Sequence, residues 1–354
     1  MSSVQEWVAE LVNGLEERRP RPTIRSVAAR AGVSKSLVSL VLQGSPKVSG
    51  QRRAAVLAAV ADLGYRPDPT ARSLAERRTR TIGVVLDDLR NPWFVDILDG
   101  LRPVLAQLGL RPLLGESRHE RDVARTFGEL RVDGLVVVGT LPDLSAVEEV
   151  AGYTPTVLAG TRDELRAAVD VVANDDEAGV GLVVAHLLEL GHRRIAHVCG
   201  AGPVGRIRRA AFEAAVWAGG GEPVVATADM TEDAGHRAGR RLLERPDRAT
   251  AVLAANDLSA VGVLAAAGDL GLRVPGDVSV AGYDDTSLAR LRAVSLTSVH
   301  NAAHEVGKLA GELLGARMSD PHAPARLHLV QPRLVVRATT AAAGGAQACA
   351  TVGS

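Results

Sequence analysis

The stretch TIRSVAARAGVSKSLVS, residues 23–39, decides how this chain is read. Thr23 is a helix N-cap type, and Ile24, Val27, Ala28 and Ala31 follow it at the i, i+3, i+4, i+7 spacing of one helix face. Gly32 suits the left-handed residue that stops such a helix, because it has no Cβ to clash. Ser34 can cap a second helix from Lys35 to about Leu42, with Val38 and Val41 inward and Gly44 beyond its end. Ser49 can cap a third, Gln51 to about Leu63, that buries Val56, Ala59, Val60 and Leu63 before Gly64. Two short helices joined by a tight glycine turn form a helix-turn-helix, whose second helix puts its N-terminal residues against base edges in the major groove. The expected DNA-facing set is Thr23 and Ser34 at the helix starts, then Lys35 and Ser36, then Ser39 and Leu40 one turn later. Lysine can donate to guanine O6/N7, serine can pair with several bases, and leucine offers only apolar contact, for example with a thymine methyl. A helical hairpin is also an ordinary structural element, so the charge around it matters.

The net charge of the 354 residues is zero, yet it is unevenly spread. Residues 18–80 hold 14 Lys and Arg against three acids, Asp62, Asp68 and Glu76, a formal +11. Residues 1–17 stand at −4 and residues 81–354 at −7. A basic head on an acidic body is the electrostatic footprint of a nucleic-acid partner, although a basic surface can also be merely solvated.

From the head the likeness to a known family becomes specific. Residues 23–39, continuing through Gly44-Ser-Pro-Lys-Val-Ser49 to Leu63-Gly-Tyr-Arg-Pro67, resemble the DNA-binding head of the lactose repressor/galactose repressor (LacI/GalR) family, and the resemblance runs through almost the whole chain. It implies a sequence-specific transcriptional regulator, a repressor acting as a homodimer on a palindromic double-stranded operator. It also implies a hinge that orders on DNA and inserts a leucine into the minor groove, here Pro69-Thr-Ala-Arg-Ser-Leu-Ala75 with Leu74 as the wedge. An apolar wedge is repaid by the extra surface that a bent duplex brings into contact. Arg66 and Arg72 are expected near phosphates. The same segment, with Pro67, Pro69 and the Arg77-Arg-Thr-Arg80 run, also reads as a plain linker. Leu40 stands where the family often has Arg, so the family's usual operator does not carry over.

Beyond Ile82 short apolar runs alternate with amphipathic windows. Strands are expected at Ile82–Leu86, Leu110–Leu114, Gly134–Val138, Thr156–Leu158, Ile195–Val198, Val224–Ala226, Ala251–Ala254 and Val278–Ala281. Helices are expected at Trp93–Leu108, Ala178–Leu190, Ala234–Leu243 and Leu258–Leu270. Such alternation predicts an α/β fold with parallel sheets covered on both faces, and ligand at the carboxyl ends of the strands. The resemblance implies a periplasmic-binding-protein type I sensor of two subdomains crossed three times. It assigns an effector, most often a sugar or sugar derivative, to Asn91, Trp93, Phe94, Arg208, Asn256, Asp284 and Asn301. Met230 stands where several relatives place an aromatic. Phe94 reads equally as a core residue, Asp87 and Asp88 as acceptors or helix caps, and Arg206 and Arg209 as surface residues. The expected division is an extension over residues 1–22, a head over 23–66, a hinge over 67–80, an effector-binding and dimerisation body over 81–340 and a disordered tail over 341–354.

Other classes fare worse. Gly200-Ala-Gly-Pro-Val-Gly205 fits a dinucleotide fingerprint formally, which keeps a dehydrogenase as the enzyme alternative, but Pro203 interrupts the turn and no ribose-binding acid follows. His300 and His304 have helical spacing without the HExxH glutamate, so no metal is expected, and no cofactor either. Only Cys199 and Cys349 are present and no apolar run reaches the roughly 18 residues of a membrane span. The first 20 residues lack the apolar stretch of an export signal, which sets aside a periplasmic sugar-binding protein, and a cytoplasmic, non-enzymatic regulator is the expectation.

Overall fold

The computed structural model describes residues 22–66, 78–118, 120, 122–141, 143–162, 165 and 169–344. The expected hinge residues Arg72 and Leu74, nearly all of the N-terminal extension and residues 345–354 lie outside them. The chain separates into two compact units, Met1–Thr79 and Arg80–Ser354.

In the first unit, Thr23 caps α1 (Ile24–Ala31) through a capping box with Ser26, and Gly32 closes it at φ 66°. Ser34 accepts from the Leu37 amide to cap α2 (Lys35–Leu42). Helix α3 (Gly50–Leu63) begins at Ser49, whose side chain makes no capping bond, contrary to its expected role. Val27, Val38 and Val56, one from each helix, are fully buried at the centre of the cluster. Arg30 pairs with Asp62 at 3.0 Å, tying α1 to α3 at the surface.

The second unit opens with β1 (Thr81–Leu86), α4 (Pro92–Gln107), β2 (Arg111–Glu116), α5 (Val123–Glu129), β3 (Gly134–Val138), α6 (Ser145–Ala151), β4 (Thr156–Ala159) and β5 (Asp170–Asn174). The chain then runs through α7 (Asp176–Glu189) into β6 (Arg194–Cys199), α8 (Gly202–Ala218), β7 (Glu222–Thr227), α9 (Glu232–Leu243), β8 (Ala251–Ala254), α10 (Asp257–Asp269), β9 (Ser279–Asp284), α11 (Ser287–Arg290) and β10 (Thr297–His300). It ends in α12 (Ala303–Ser319), β11 (Leu327–Val330) and β12 (Arg333–Val335). Two six-stranded sheets result, ordered β11-β5-β4-β3-β1-β2 and β12-β10-β9-β8-β6-β7. All pairings are parallel except β10 with β12, so the second sheet is mixed at one edge. The connection passes between sheets three times: after β5, after β10 and between β11 and β12.

Helix α12 returns to the first sheet and packs directly on α4. A Cβ added at Gly100 would stand 1.9 Å from the His304 carbonyl oxygen, so the two backbones touch there and only glycine fits. Fully buried Asp170 stitches the same region together, accepting from Arg317 Nε and from the amide and guanidinium of Arg326 at 2.9–3.2 Å. Burial opposes the Asp170 charge, but the hydrogen bonds from Arg326 and Arg317 hold its carboxyl below the usual range.

The tail expectation needs correction at its start. Residues 341–344 are described, and Ala341 is fixed on both sides, its amide donating to Ser279 Oγ and its carbonyl facing His192 Nε2, each at 3.0 Å. The Ala343 amide then donates to the Leu190 carbonyl. Small side chains let this segment lie close to the body and pair its backbone, which composition alone reads as disorder.

Candidate functional site

Two sites emerge, one in each unit. On α2 the inward side is taken by Val38 and Val41, which leaves Lys35, Ser36 and Leu40 exposed and Ser39 half-buried. Leu40 is 40% exposed, an apolar side chain held out on a helix otherwise lined there by polar groups. Thr23, Ser34 and Arg66 are exposed as well. Thr23 Oγ1 accepts from the Ser26 amide and lies 3.1 Å from Ser26 Oγ, and Ser34 Oγ accepts from the Leu37 amide, so both hydroxyls position helix starts while that of Ser34 keeps its proton to donate.

In the second unit the expected effector residues lie at the carboxyl ends of strands, but not all in the same way. Asn91 caps α4, accepting from the Trp93 amide. Neither Asp87 nor Asp88 caps that helix: Asp88 grips Arg90 with bonds of 2.7–3.0 Å, and Asp87 faces Ser117 and Arg118. Hydrogen bonds from Arg90 lower the Asp88 carboxyl against its partial burial. Trp93 and Phe94 are both buried members of the first sheet's core, packed edge to face with centroids 5.1 Å apart. For Phe94 this favours the core reading. Trp93 lies against Gly160 at the end of β4 and keeps a buried indole N–H with no protein partner.

Arg208 is the centre of the second sheet's contribution. It projects from α8, is 6% exposed, and its Nε donates to Asp176 Oδ1 at 2.8 Å while Nη1 donates to the Ala255 carbonyl at 2.7 Å. Its Nη2 stands 4.0 Å from Asp284 Oδ1, and the guanidinium lies 3.7 Å over the Tyr283 ring. Burial works against the arginine's charge, but Asp176, Tyr283 and Asp284 outweigh it and the group is held firmly protonated. Burial pushes the Asp284 carboxyl well above its usual range despite the Arg208 charge. Arg206 and Arg209, by contrast, are exposed.

Asp284 in turn accepts from Asn301 Nδ2 at 2.8 Å, and the Asn301 carbonyl accepts from Asn174. A continuous polar chain therefore runs from Asn174 on the first sheet through Asn301 and Asp284 to Arg208 and Asp176. Asn256 caps α10 in a box with Ser259 and donates to the Met230 carbonyl at 3.2 Å. Met230 is half-buried with its thioether against Gly200, so the glycine-rich turn before α8 is packed by a side chain. His300 Nδ1 faces Asp285 Oδ2 at 3.2 Å and has no cluster of further ligands; no group of three or more His, Cys, Asp or Glu suited to a metal occurs among the described residues. Nor is any helix of those residues long and apolar enough to cross a membrane.

Sequence reasoning missed Asn174, Asp176 and Tyr283. Asn174 ends β5, a strand whose acid and amide ends disguise it, Asp176 opens α7 two residues later, and Tyr283 sits in a run that reads as core.

Comparison with known proteins joins the two sites. Residues 23–68 match the family described as bacterial regulatory proteins, lacI family, and residues 184–340 match the periplasmic binding protein-like domain. The chain is 32% identical over 332 residues to the HTH-type transcriptional repressor PurR of Escherichia coli O139:H28 (strain E24377A / ETEC), covering 90% of this chain and 97% of that one. It superposes on a crystal structure of the lac repressor dimer bound to operator and the anti-inducer ONPF with a TM-score of 0.81 at 28% identity, over 91% of this chain and 100% of that one. For the transcriptional regulator CelR–cellobiose complex the TM-score is 0.68 at 32% identity, over 90% and 100% of the two chains.

Proposed function

The chain belongs to the lacI family of bacterial regulatory proteins, whose members here are transcriptional repressors and not enzymes, and we propose that it represses transcription from a palindromic operator under control of a neutral, polyhydroxylated effector, a sugar or sugar derivative. The observation that carries the effector reading is the electrostatic balance around Arg208. The guanidinium is matched by Asp176 at 2.8 Å and Asp284 at 4.0 Å, so an anion brought to it would meet two acids. A hydroxyl group suits the site better, because it can accept from Arg208 and donate to Asp284 at once. Trp93 supplies an apolar ring face, and its unspent N–H together with the free Asn301 Oδ1 gives a ligand one donor and one acceptor to satisfy. The cellobiose complex of a relative supports this class without identifying the compound.

The DNA-reading set is Lys35, Ser36, Ser39 and Leu40, with Thr23, Ser34 and Arg66 toward the backbone and Arg72 and Leu74 in the hinge. One short helix reads too few bases, and a homodimer with two-fold symmetry supplies the second half-site. The corresponding division is a head over 23–66, a hinge over 67–80 and an effector-binding and dimerising body from 81. Selection of the full chain on random duplex DNA is expected to return a palindrome, and a thermal-shift panel is expected to give hits among sugars and none among sugar phosphates or carboxylates. A selection without two-fold symmetry would sink the operator reading, and hits confined to anions would sink the effector reading.

A further inference from the structure

Asp284 and Asp285 have φ of 104° and 52°, two successive non-glycine residues in the left-handed region. Such backbone costs free energy and persists only where its surroundings over-determine it. The surroundings converge on one carboxylate. Asp257, the first residue of α10, is 1% exposed; its Oδ2 accepts from the Thr286 amide at 2.6 Å and from Thr286 Oγ1 at 2.9 Å. Its Oδ1 accepts from Ser298 Oγ, which itself accepts from the Asp285 amide at 3.1 Å. Both amides that follow Asp284 are thus held by Asp257, one directly and one through Ser298. The carboxylate also lies so close over β9 that a Cβ at Gly282 would come within 2.5 Å of Oδ1. Arg337 and Arg290 hold Asp285 from the other side, through its carboxylate and its carbonyl.

We propose that Asp257 is a positioning residue of the cleft: its carboxylate clamps the Asp284–Asp285 turn to the start of α10 and so sets where Asp284 stands relative to Asn256 and Arg208. Asn256 and Asp257 are consecutive, so the cap of α10 and the aim of Asp284 are fixed by one short piece of backbone. The proposal rests on Asp284 being an effector contact, and the experiment separates the two claims.

The test uses the full chain with Asp257→Ala, Asp257→Asn and Ser298→Ala. The first arm is hydrogen exchange read by mass spectrometry on the peptide spanning residues 283–290. Asp257→Ala is expected to accelerate exchange there by about tenfold or more while peptides of β6 and α8 stay within about twofold. Asp257→Asn is expected to keep protection, because an amide can still accept from the Thr286 amide and donate to Ser298 Oγ. Ser298→Ala, which removes one arm of the clamp, gives an intermediate acceleration and serves if Asp257→Ala does not fold. The second arm is thermal shift with D-ribose and cellobiose as probes, where a wild-type response is expected to vanish in Asp257→Ala and survive in Asp257→Asn. Unchanged exchange at 283–290 in Asp257→Ala and Ser298→Ala, equal acceleration across all peptides, or equal loss in Asp257→Asn overturns the clamp. A wild-type chain that responds to neither probe counts against the sugar reading alone, while the exchange arm still decides the clamp.

Discussion

Replacing Arg208 by methionine tests the centre of the cleft. Methionine keeps an unbranched apolar chain of similar reach but removes the cation, leaving Asp176 and Asp284, 4% and 7% exposed, without the charge that faces them. Breaking a buried ion pair from one side costs about 3–5 kcal/mol, because the remaining charge has no compensation. At about 2 °C per kcal/mol for a body of this size, the melting temperature should fall by about 6–10 °C. The sign with pH follows from the same reasoning. Asp284 is already pushed up by burial with Arg208 in place and rises further when the cation goes, so more stability is lost as pH rises and the deficit of the variant shrinks toward pH 5. Asp176→Asn in the Arg208→Met background should recover at least about 1 kcal/mol, since the two side chains are in direct contact. Differential scanning calorimetry of the wild type, the Arg208→Met and Asp176→Asn single variants and the double variant between pH 5 and 8 makes the measurement, with duplex-DNA binding as a control that the head is intact. A melting temperature within about 1 °C of wild type, or an Asp176→Asn effect that adds to the loss instead of offsetting it, would refute the reasoning.

Two further outcomes follow from buried carboxylates of opposite sign. Burial pushes Asp257 up to about 6 from 3.8, so its protonated form favours the folded state and its contribution is lost as pH rises through that value, by about 3 kcal/mol in total. Asp257→Asn removes the titration, and the melting temperature of the variant relative to wild type should therefore climb between pH 4 and 7; a flat difference would contradict the shift. Asp170 is the reverse case, its carboxyl lowered by Arg326 and Arg317, so its stabilisation is present above the unfolded pKa and is lost as pH falls through the folded one. Asp170→Asn removes the carboxylate that faces Arg317, 3% exposed, leaving its guanidinium only the carbonyls of Pro321, Ala323 and Pro324, and should cost about 3–5 kcal/mol at pH 7 by urea unfolding; a cost below about 1 kcal/mol would show that those carbonyls suffice to hold the charge.

The parts of the fold legible in the sequence are those where one residue's neighbours along the chain explain its burial. The head helices and the strands Gly134–Val138 and Ala251–Ala254 stand where apolar spacing puts them. Of the four strands that escape that reading, β11 and β12 are short, partly exposed edge strands, whereas β5 and β10 share a different logic. Asp170, Asn174, Thr297 and Ser298 are buried polar residues inside or at the ends of strands, and their partners lie far along the chain: Arg317 for Asp170, Asn301 for Asn174, Thr340 for Thr297 and Asp257 for Ser298. Periodicity registers such residues as loop, because the satisfaction of a buried polar group is a property of the tertiary structure. The site divides the same way. Arg208 and Asp284 come from the family resemblance, whereas Asp176, Tyr283 and Asp257 become visible only when the folded chain sets them around those two.

The placement of the crossings gives the cleft its mechanical meaning. Two of the three connections between the sheets carry site residues: Asn174 and Asp176 flank the first, and Asn301 with Ala302, in the left-handed region at φ 54°, forms the second. Any rotation of one sheet against the other must change backbone angles in these short connections, since both sheets are packed cores that resist deformation. Asn256 and Asp284, in contrast, are locked within the second sheet by capping and by Asp257. On the effector contacts proposed above, a ligand bridging the fixed pair and Asn301 would report on, and act on, the angle between the sheets. By linkage, the free energy it gains in one arrangement is the free energy by which it biases that arrangement, whichever direction the operator prefers.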